Sequence, residues 1–305
     1  AEGEGGGDGA KTVLEWLTLV GTRVLPPREA PIRHWLDGFP WVSLAVLAVI
    51  VLGCLACDLL MTHDPTYLDL AHCSEAPNGT FFFGTDALGR DLFSGIWYGG
   101  RISLTIGVLA TLLSTAVATV YGTVSGLAPQ WLDTLLMRLT ELFLSVPNLL
   151  LIVFLQAILG QANAVSISVT IGLTSWAGIA KIVRTEVRQL RHSEYVLAAR
   201  AMGGGFFHVL VRHLFPNFFS AILFMVVMNL RGAIVAESTL SFLGLGLPLE
   251  VISWGSMLSL AEKALLSGAW WVILLPGAFL IAVLLCVTNL GNYLRRQASR
   301  KESNL

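Results

Sequence analysis

Charged side chains are scarce in this chain. Asp, Glu, Lys and Arg together make up 13% of its 305 residues, whereas hydrophobic residues make up 55%. A soluble domain carries about 25% charged residues, which it needs to cover its surface. The composition therefore excludes a soluble globular protein and predicts an all-α polytopic membrane protein.

Nucleotide-binding and hydrolytic motifs are also missing. No lysine follows a glycine anywhere in the sequence, so the phosphate-binding loop GxxxxGK is absent, and ATP and Mg²⁺ would be bound by other subunits. All six histidines fall in predicted loops and tails, which leaves an intramembrane serine hydrolase without its base. No nucleic-acid motif is present. We therefore expect this chain to have no enzyme activity and no cofactor of its own.

Cysteines are few as well. Three of the four lie within long apolar stretches, namely Cys54, Cys57 and Cys286. In such stretches a small, buried side chain is a commoner role than redox or metal chemistry. Cys73 lies in a polar stretch with His63 and His72, and these three side chains are conceivable metal ligands. Their irregular spacing is a weak signal, so we predict no metal site and leave their role open.

Long apolar segments dominate what is present. A hydrocarbon core of about 30 Å requires roughly 20 helical residues, and six segments meet that length. They comprise residues 41–60, 102–127, 135–159, 165–183, 218–240 and 270–290. The sequence thus predicts a six-helix transmembrane domain at 41–290, with an outer loop at 61–101 and a cytoplasmic loop at 184–217.

Basic residues orient the predicted spans. With both termini in the cytoplasm, every Lys and Arg lies on the inner side except four, which are Arg90, Arg101, Arg231 and Lys263. Cytoplasmic loops carry the excess of Lys and Arg in membrane proteins, so the opposite orientation is disfavoured. Residues 1–40 then form a cytoplasmic tail with an interfacial amphipathic helix, and residues 291–305 form a basic cytoplasmic tail.

The cytoplasmic loop contains a helix-turn-helix pattern between residues 191 and 217. Glycines at 203–205 can end the first helix, and Pro216 stops the second. Ala198 and Ala199 give the first helix a surface of small side chains that can lie close to a partner. The residue types alone fit either a docking element or an ordinary cytoplasmic loop.

This loop resembles the cytoplasmic signature of ABC importer permeases, in which Glu-Ala-Ala is followed by three residues and a glycine. Ala198, Ala199, Gly203 and Pro216 fall on the signature, although Leu197 stands where it has glutamate. In that family the segment forms a coupling helix that sits in a cleft of the ATPase subunit. By this resemblance the coupling residues are Glu194, Tyr195, Ala198, Ala199, Arg200, Gly203 and Pro216.

Two further motifs resemble the dipeptide, oligopeptide and nickel branch of those permeases. GTDALGRD at 84–91 with GGRISL at 99–104 leads into the second span, and ESTLSFLGLG at 237–246 with SWGSML at 253–258 begins at the end of the fifth. The glycines of the first motif allow tight turns, and its charged side chains can satisfy one another. We interpret it as a structural clasp, with contact to a binding protein as the alternative. Its residues are Gly84, Thr85, Asp86, Gly89, Arg90 and Asp91.

Polar side chains within the predicted spans are candidates for the transport pathway, because an ionised group at the bilayer centre costs about 2.5 to 3.5 kcal/mol. The candidates are Glu141, Asn148, Asn229, Arg231 and Glu237. Glu141 is the leading one because it lies in an otherwise apolar span. A structural hydrogen bond between helices is the alternative for each.

The resemblance implies the type I ABC importer (MetI-like) permease fold and the role of the second, C-type membrane subunit of a peptide importer. The implied location is the plasma membrane of a bacterium or archaeon, in contact with lipid. The implied partners are a second homologous permease, two ATPase subunits and an extracytoplasmic substrate-binding protein. Import of nickel, metal chelates or glutathione is the alternative within the family. A stand-alone secondary transporter is less favoured, because no internal inverted repeat is evident.

Overall fold

The computed structural model describes residues 39–160, 162–191, 215–248 and 250–302. The chain divides into the units Ala1–Phe39 and Pro40–Leu305, and the described helices all belong to the second. The predicted N-terminal tail with its amphipathic helix lies outside the described residues. So do residues 192–214 of the predicted coupling loop, which include all of its predicted coupling residues except Pro216.

The described part of the chain is built from α-helices, and within these ranges an isolated bridge between Thr85 and Asp91 is not extended into a strand. In chain order the helices are α1 (Trp41–Leu55), α2 (Cys57–Leu60), α3 (Leu92–Leu127), α4 (Gln130–Ser145), α5 (Asn148–Leu159), α6 (Ala164–Thr174), α7 (Ala177–Leu190), α8 (Phe215–Phe242), α9 (Trp254–Leu258), α10 (Ala261–Ser267) and α11 (Trp271–Glu302). The predicted all-α fold is confirmed.

Three of the six predicted spans are continuous helices long and apolar enough to cross a membrane: α3, Ile222–Phe242 of α8, and Trp271–Gln297 of α11. α3 begins ten residues earlier than predicted, because Asp91 caps it by accepting a hydrogen bond from the Ser94 amide at 3.0 Å. The first predicted span is shorter than expected, since the helix is interrupted at Ala56 between α1 and α2.

The third predicted span, at 135–159, is a broken helix rather than a continuous one. α4 and α5 meet at an angle of 90° across Val146 and Pro147. Proline lacks the amide hydrogen that a helix interior needs, and it disfavours the helical conformation of the residue before it. Val146 accordingly has an extended backbone, with φ −88° and ψ 130°.

The fourth predicted span is bent as well. α6 and α7 meet at 47° across Ser175 and Trp176. Thr174 Oγ1 donates hydrogen bonds to two carbonyls of the preceding turn, an arrangement that bends helices. The Trp176 ring then packs against Tyr121 and Phe143, which lie on α3 and α4. Tertiary packing therefore holds the bend in place without a proline.

Glycines bring the neighbouring helices close to α3, which packs against α6, α7 and α8. A Cβ atom added at Gly122 would lie 2.6 Å from the Ala180 carbonyl oxygen of α7, and one at Gly107 would lie 2.7 Å from Ile234 of α8. Helices in lipid associate through such close packing, because the surrounding tails are as apolar as the side chains. α3 is therefore the helix around which the broken helices are arranged.

Candidate functional site

A cavity lies where the two broken helices face α8. Its volume is about 390 Å³, and its lining comes from the α4–α5 break, the α6–α7 break and the middle of α8. We call it the break cavity. Beside an apolar wall from α4 and α5, it is lined by Asn148, Thr174, Ser175, Gly178, Asn229 and Gly232. No lining residue carries a charge. Non-helical backbone at membrane depth is tolerated where it lines such a cavity, and broken helices are common at transport sites.

Two asparagines, Asn148 and Asn229, line the break cavity. The Asn229 amide nitrogen donates to Ser114 Oγ at 2.5 Å, and Ser114 Oγ donates to the Thr111 carbonyl at 3.0 Å. These bonds fix the Asn229 side chain of α8 to α3. Asn148 is the first residue of α5, directly after Pro147 at the 90° break. The structure therefore brings together these two of the five predicted pathway residues.

Glu141 does not line the break cavity. Its half-exposed carboxylate lies 3.1 Å from Arg138 Nη1 and 3.9 Å from Lys181 Nζ. Glu141 was the leading candidate because its span looked apolar, but its side of α4 forms a separate charged cavity with α7. The pathway role of Glu141 stays a prediction, and the geometry connects this residue to the charged surface instead.

Asp133 is the centre of that charged surface. Its buried carboxylate accepts hydrogen bonds from Arg184 Nε at 2.7 Å, Arg188 Nη1 at 2.6 Å and Ser125 Oγ at 2.7 Å. These donors belong to α7 and to the end of α3. Arg191 Nη1, just after α7, donates to the Gly126 carbonyl at 3.0 Å. The end of α7, which leads into the predicted coupling loop, is thereby fixed to α3 and α4.

Glu237 is fully buried on α8 among serine hydroxyls. Ser103 Oγ donates to its carboxylate at 2.9 Å and Ser241 Oγ at 3.0 Å. The same two hydroxyls accept hydrogen bonds from the backbone amides of Trp254 and Leu247. Glu237 thus anchors the segment after α8 through serines, as the structural alternative predicts, and it does not line the break cavity. Arg231, also on α8, is exposed and lies outside that lining.

The outer-loop motif folds into a clasp over the N-terminus of α3. The Asp86 carboxylate accepts hydrogen bonds from the Arg90 amide at 2.9 Å and from Arg90 Nε at 3.0 Å. Asp91, besides capping α3, accepts a hydrogen bond from Thr62 Oγ1 at 3.0 Å. Asp86, Arg90 and Asp91 are buried. This geometry supports the structural interpretation of the motif.

Glycine is required at two positions of the clasp. Gly84 and Gly89 have φ angles of 74° and 75°, which side chains other than glycine rarely adopt. A Cβ atom at Gly84 would also lie 2.5 Å from the Glu75 carbonyl oxygen. The clasp is joined to α11 by Trp271, whose Nε1 donates to the Thr85 carbonyl at 3.1 Å. The motif therefore connects Thr62, the N-terminus of α3 and Trp271 of α11.

His72 and Cys73 lie on the surface of the same loop. His72 Nδ1 and Asp69 Oδ2 are 2.7 Å apart, and this carboxylate raises the pKa of His72 above its ordinary value of 6.5. The Cys73 thiol is exposed and donates to the Leu70 carbonyl at 3.4 Å. Within the described ranges, no group of three or more His, Cys, Asp or Glu side chains could hold a metal ion.

Sequence reasoning missed Asp133 and the cavity position of Gly178. Asp133 follows Pro129 at the start of an apolar helix, so its charge is typical of a helix end at a membrane surface. Its partners Arg184 and Arg188 are about fifty residues away in sequence, and no local pattern connects them. The available signal was the position of three charged residues. Asp133 lies near the end of one apolar segment, and Arg184 and Arg188 lie near the end of another.

Comparisons with known proteins agree with this architecture. Residues 118–300 match the family model described as "Binding-protein-dependent transport system inner membrane component". The chain is 35% identical over 255 residues to the dipeptide transport system permease protein DppC of Bacillus subtilis, covering 84% of this chain and 78% of that protein. It is 33% identical over 277 residues to the oligopeptide transport system permease protein OppC of Haemophilus influenzae, covering 90% and 88%.

Proposed function

Because the chain belongs to the family of inner membrane components of binding-protein-dependent transport systems, we propose that it forms half of a pathway that carries peptides across the membrane. The chain is a permease of an ABC importer. The break cavity carries the proposal, because it is formed by helix interruptions and lined by two carboxamides without a charge. Carboxamides can both donate to and accept from a peptide backbone, whatever side chains the peptide has.

We propose that the other half of the pathway comes from a second, homologous permease. Two ATPase subunits would bind and hydrolyse ATP with Mg²⁺, since this chain lacks the phosphate-binding loop. A substrate-binding protein on the outer side would deliver the peptide and supply most of the selectivity. The names of the dipeptide and oligopeptide relatives support the peptide as substrate.

Coupling to the ATPases is proposed for the segment that runs from the end of α7 into the first turn of α8, which contains Pro216. The coupling residues would be Glu194, Tyr195, Ala198, Ala199, Arg200, Gly203 and Pro216. The hydrogen bonds from Arg184, Arg188 and Arg191 to α3 and α4 support this role. A displacement of the loop would pass through the fixed end of α7 to the helices that form the break cavity.

The proposed location is the inner membrane of a bacterium or archaeon, with both termini in the cytoplasm. The apolar helices and the family description support a membrane location, and the distribution of Lys and Arg supports the orientation. The clasp and Cys73 would then lie on the outer side. The Asp133 cluster would lie on the inner side.

Uptake by the complete transporter tests this function. The permease pair, both ATPases and the binding protein are reconstituted in proteoliposomes, and uptake of radiolabelled dialanine is measured with and without ATP. We expect uptake that requires both ATP and the binding protein. Uptake of ⁶³Ni²⁺ or glutathione without uptake of peptides would contradict the peptide assignment, and uptake without the ATPases would favour a secondary transporter.

A further inference from the structure

The glycines of the described helices fall into two groups. Most of them pack against a neighbouring helix: a Cβ atom would lie 2.6 Å from another heavy atom at Gly122, 2.7 Å at Gly107 and 2.8 Å at Gly172. At Gly178 and Gly232 a Cβ atom would meet no heavy atom within 4 Å. Within the described helices, these two are the glycines that have open space beside them.

Neither backbone strain nor packing explains glycine at these two positions. Gly178 and Gly232 are not among the residues with positive φ, so alanine fits their backbone. Glycine in the middle of a helix is less favourable than alanine, because it loses more backbone freedom on folding. Glycine at either position therefore adds no contact, and in the middle of α8 it also weakens the helix. What it provides is the absence of a side chain.

Both glycines line the break cavity, on different helices. Gly178 is in the first turn of α7, directly after the α6–α7 bend, and Gly232 is in the middle of α8. Gly232 is three residues from Asn229, so the two share one face of α8. A side chain at either glycine would occupy part of the cavity that Asn229 also lines.

We infer that Gly178 and Gly232 set the width of the passage and thereby the largest peptide side chain that it admits. This inference rests on the proposed function. Because no residue that lines the cavity is charged, its walls discriminate peptide side chains by size more directly than by charge. The binding protein selects which peptides are delivered, and these two positions limit which of them pass.

Transport by leucine variants tests the inference. Gly178→Leu and Gly232→Leu are assembled with their partner subunits, and ATP-dependent uptake of dialanine and of diphenylalanine is measured. Dividing each rate by the wild-type rate for the same peptide cancels the preference of the binding protein. We expect diphenylalanine uptake to fall about tenfold and dialanine uptake less than about twofold. The control is Ala116→Leu on the exposed side of α3, which should change neither rate.

Two results would overturn the inference. One is an equal change for both peptides, including no change, in an intact complex. The other is loss of the second permease on purification of the leucine variants, which would show that the glycines lie in a subunit interface. Failure of the wild type to import either peptide would instead contradict the proposed function itself.

A smaller substitution keeps the test valid if the leucine variants do not fold. Gly178→Cys and Gly232→Cys are made in a Cys73→Ser background, because Cys73 is the exposed native cysteine. We expect both thiols to react with a charged, membrane-impermeant methanethiosulfonate in the transporter, and bound diphenylalanine to slow the reaction more than dialanine does. Thiols that remain unreactive throughout the ATP cycle would overturn the inference.

Discussion

At the scale of single residues, Glu237 shows how serine hydroxyls can hold a buried carboxylate inside a membrane-spanning helix. Ser103 and Ser241 each donate a hydrogen bond to the carboxylate and accept one from the backbone that follows α8. By accepting from the Ser103 and Ser241 hydroxyls, the carboxylate orients their oxygen atoms so that they can accept from backbone amides. Its sequence signal, an acidic residue in an apolar span, is the same as that of a pathway residue.

Replacing Glu237 should reduce stability more than it changes the cavity. Glu237→Ala leaves several buried hydroxyls without their acceptor, and each unsatisfied group costs about 1 to 3 kcal/mol. Glu237→Gln keeps one acceptor oxygen and should be less harmful. The measurement is the midpoint of thermal unfolding of the permease in detergent. An alanine variant as stable as the wild type would show that the serine network does not depend on the carboxylate.

The surface pair of His72 and Asp69 gives a prediction for pH. The carboxylate raises the pKa of His72, and the hydrogen bond from His72 lowers the pKa of Asp69. The contribution of His72 is fully present below its ordinary value of 6.5 and is lost as pH rises through the raised pKa. The contribution of Asp69 is lost as pH falls through its own lowered pKa. The pair therefore stabilises the loop most between the ordinary pKa of Asp69, 3.8, and the ordinary pKa of His72, 6.5.

Histidine NMR on the permease in nanodiscs checks this prediction. The pKa of His72 should lie above its ordinary value in the wild type and return toward it in Asp69→Asn. A His72 titration that Asp69→Asn leaves unchanged would show that the pair does not form in solution.

At the scale of elements, the hydrogen bonds of Asp133 hold the C-terminal part of α7 against α3 and α4. Its carboxylate is 4% exposed, while the side chains of Arg184 and Arg188 are 25% and 46% exposed. Solvent screens the two arginines, so the cluster contributes less than a fully buried ion pair would. It still removes the freedom of α7 to move independently of its neighbours. Such a constraint would suit a helix that leads into the proposed coupling loop.

Asp133→Asn keeps the shape of the side chain and removes its charge. We expect a loss of stability on the order of 1 to 3 kcal/mol, because two guanidinium groups lose their anionic partner and asparagine keeps only one acceptor oxygen. We also expect less stimulation of ATP hydrolysis by peptide-loaded binding protein, since α7 is no longer fixed. The matched control is Arg138→Gln, which breaks the exposed pair with Glu141 and should cost at most about 0.5 kcal/mol. Stimulation equal to that of the wild type would contradict the role of Asp133 in coupling.

The α4–α5 and α6–α7 breaks show which features of a membrane helix can be predicted from sequence and which cannot. Pro147 is visible in the sequence and explains why α4 ends, but the 90° turn depends on packing. Gln156 of α5 is buried and forms hydrogen bonds with Ser166 and Thr170, which hold α5 against α6. The α6–α7 bend lacks a proline and depends on the contacts of Trp176. Apolar length thus predicts that a segment enters the membrane, whereas its direction is decided by partners distant in sequence.

At the scale of the whole molecule, three sets of hydrogen bonds hold distant parts of the chain against α3. The clasp holds the N-terminus of α3 to α11, the Glu237 network holds the segment after α8, and Asp133 holds the other end of α3 to α7. The break cavity lies between the two ends. The motifs of the clasp and of the Glu237 segment were recognisable in the sequence, but the cavity was not, because it depends on the bends.

Accessibility to a thiol reagent tests the orientation of this arrangement. A membrane-impermeant maleimide added outside intact cells should label Cys73, which is exposed on the loop before α3. It should not label a cysteine introduced by Ser299→Cys unless the membrane is permeabilised. The expectation follows from the excess of Lys and Arg on the proposed inner side. Labelling of Ser299→Cys alone in intact cells would reverse the orientation.

Photo-crosslinking during transport tests whether peptides pass through the break cavity. Benzoylphenylalanine is placed at Asn148, which lines the cavity, or at Phe154, which is exposed on the same helix α5. The assembled transporter is then irradiated with radiolabelled dialanine and binding protein during ATP hydrolysis. We expect peptide attached at position 148 only when ATP is present, with little or none at position 154. Equal labelling at the two positions, or labelling at 154 alone, would contradict this expectation.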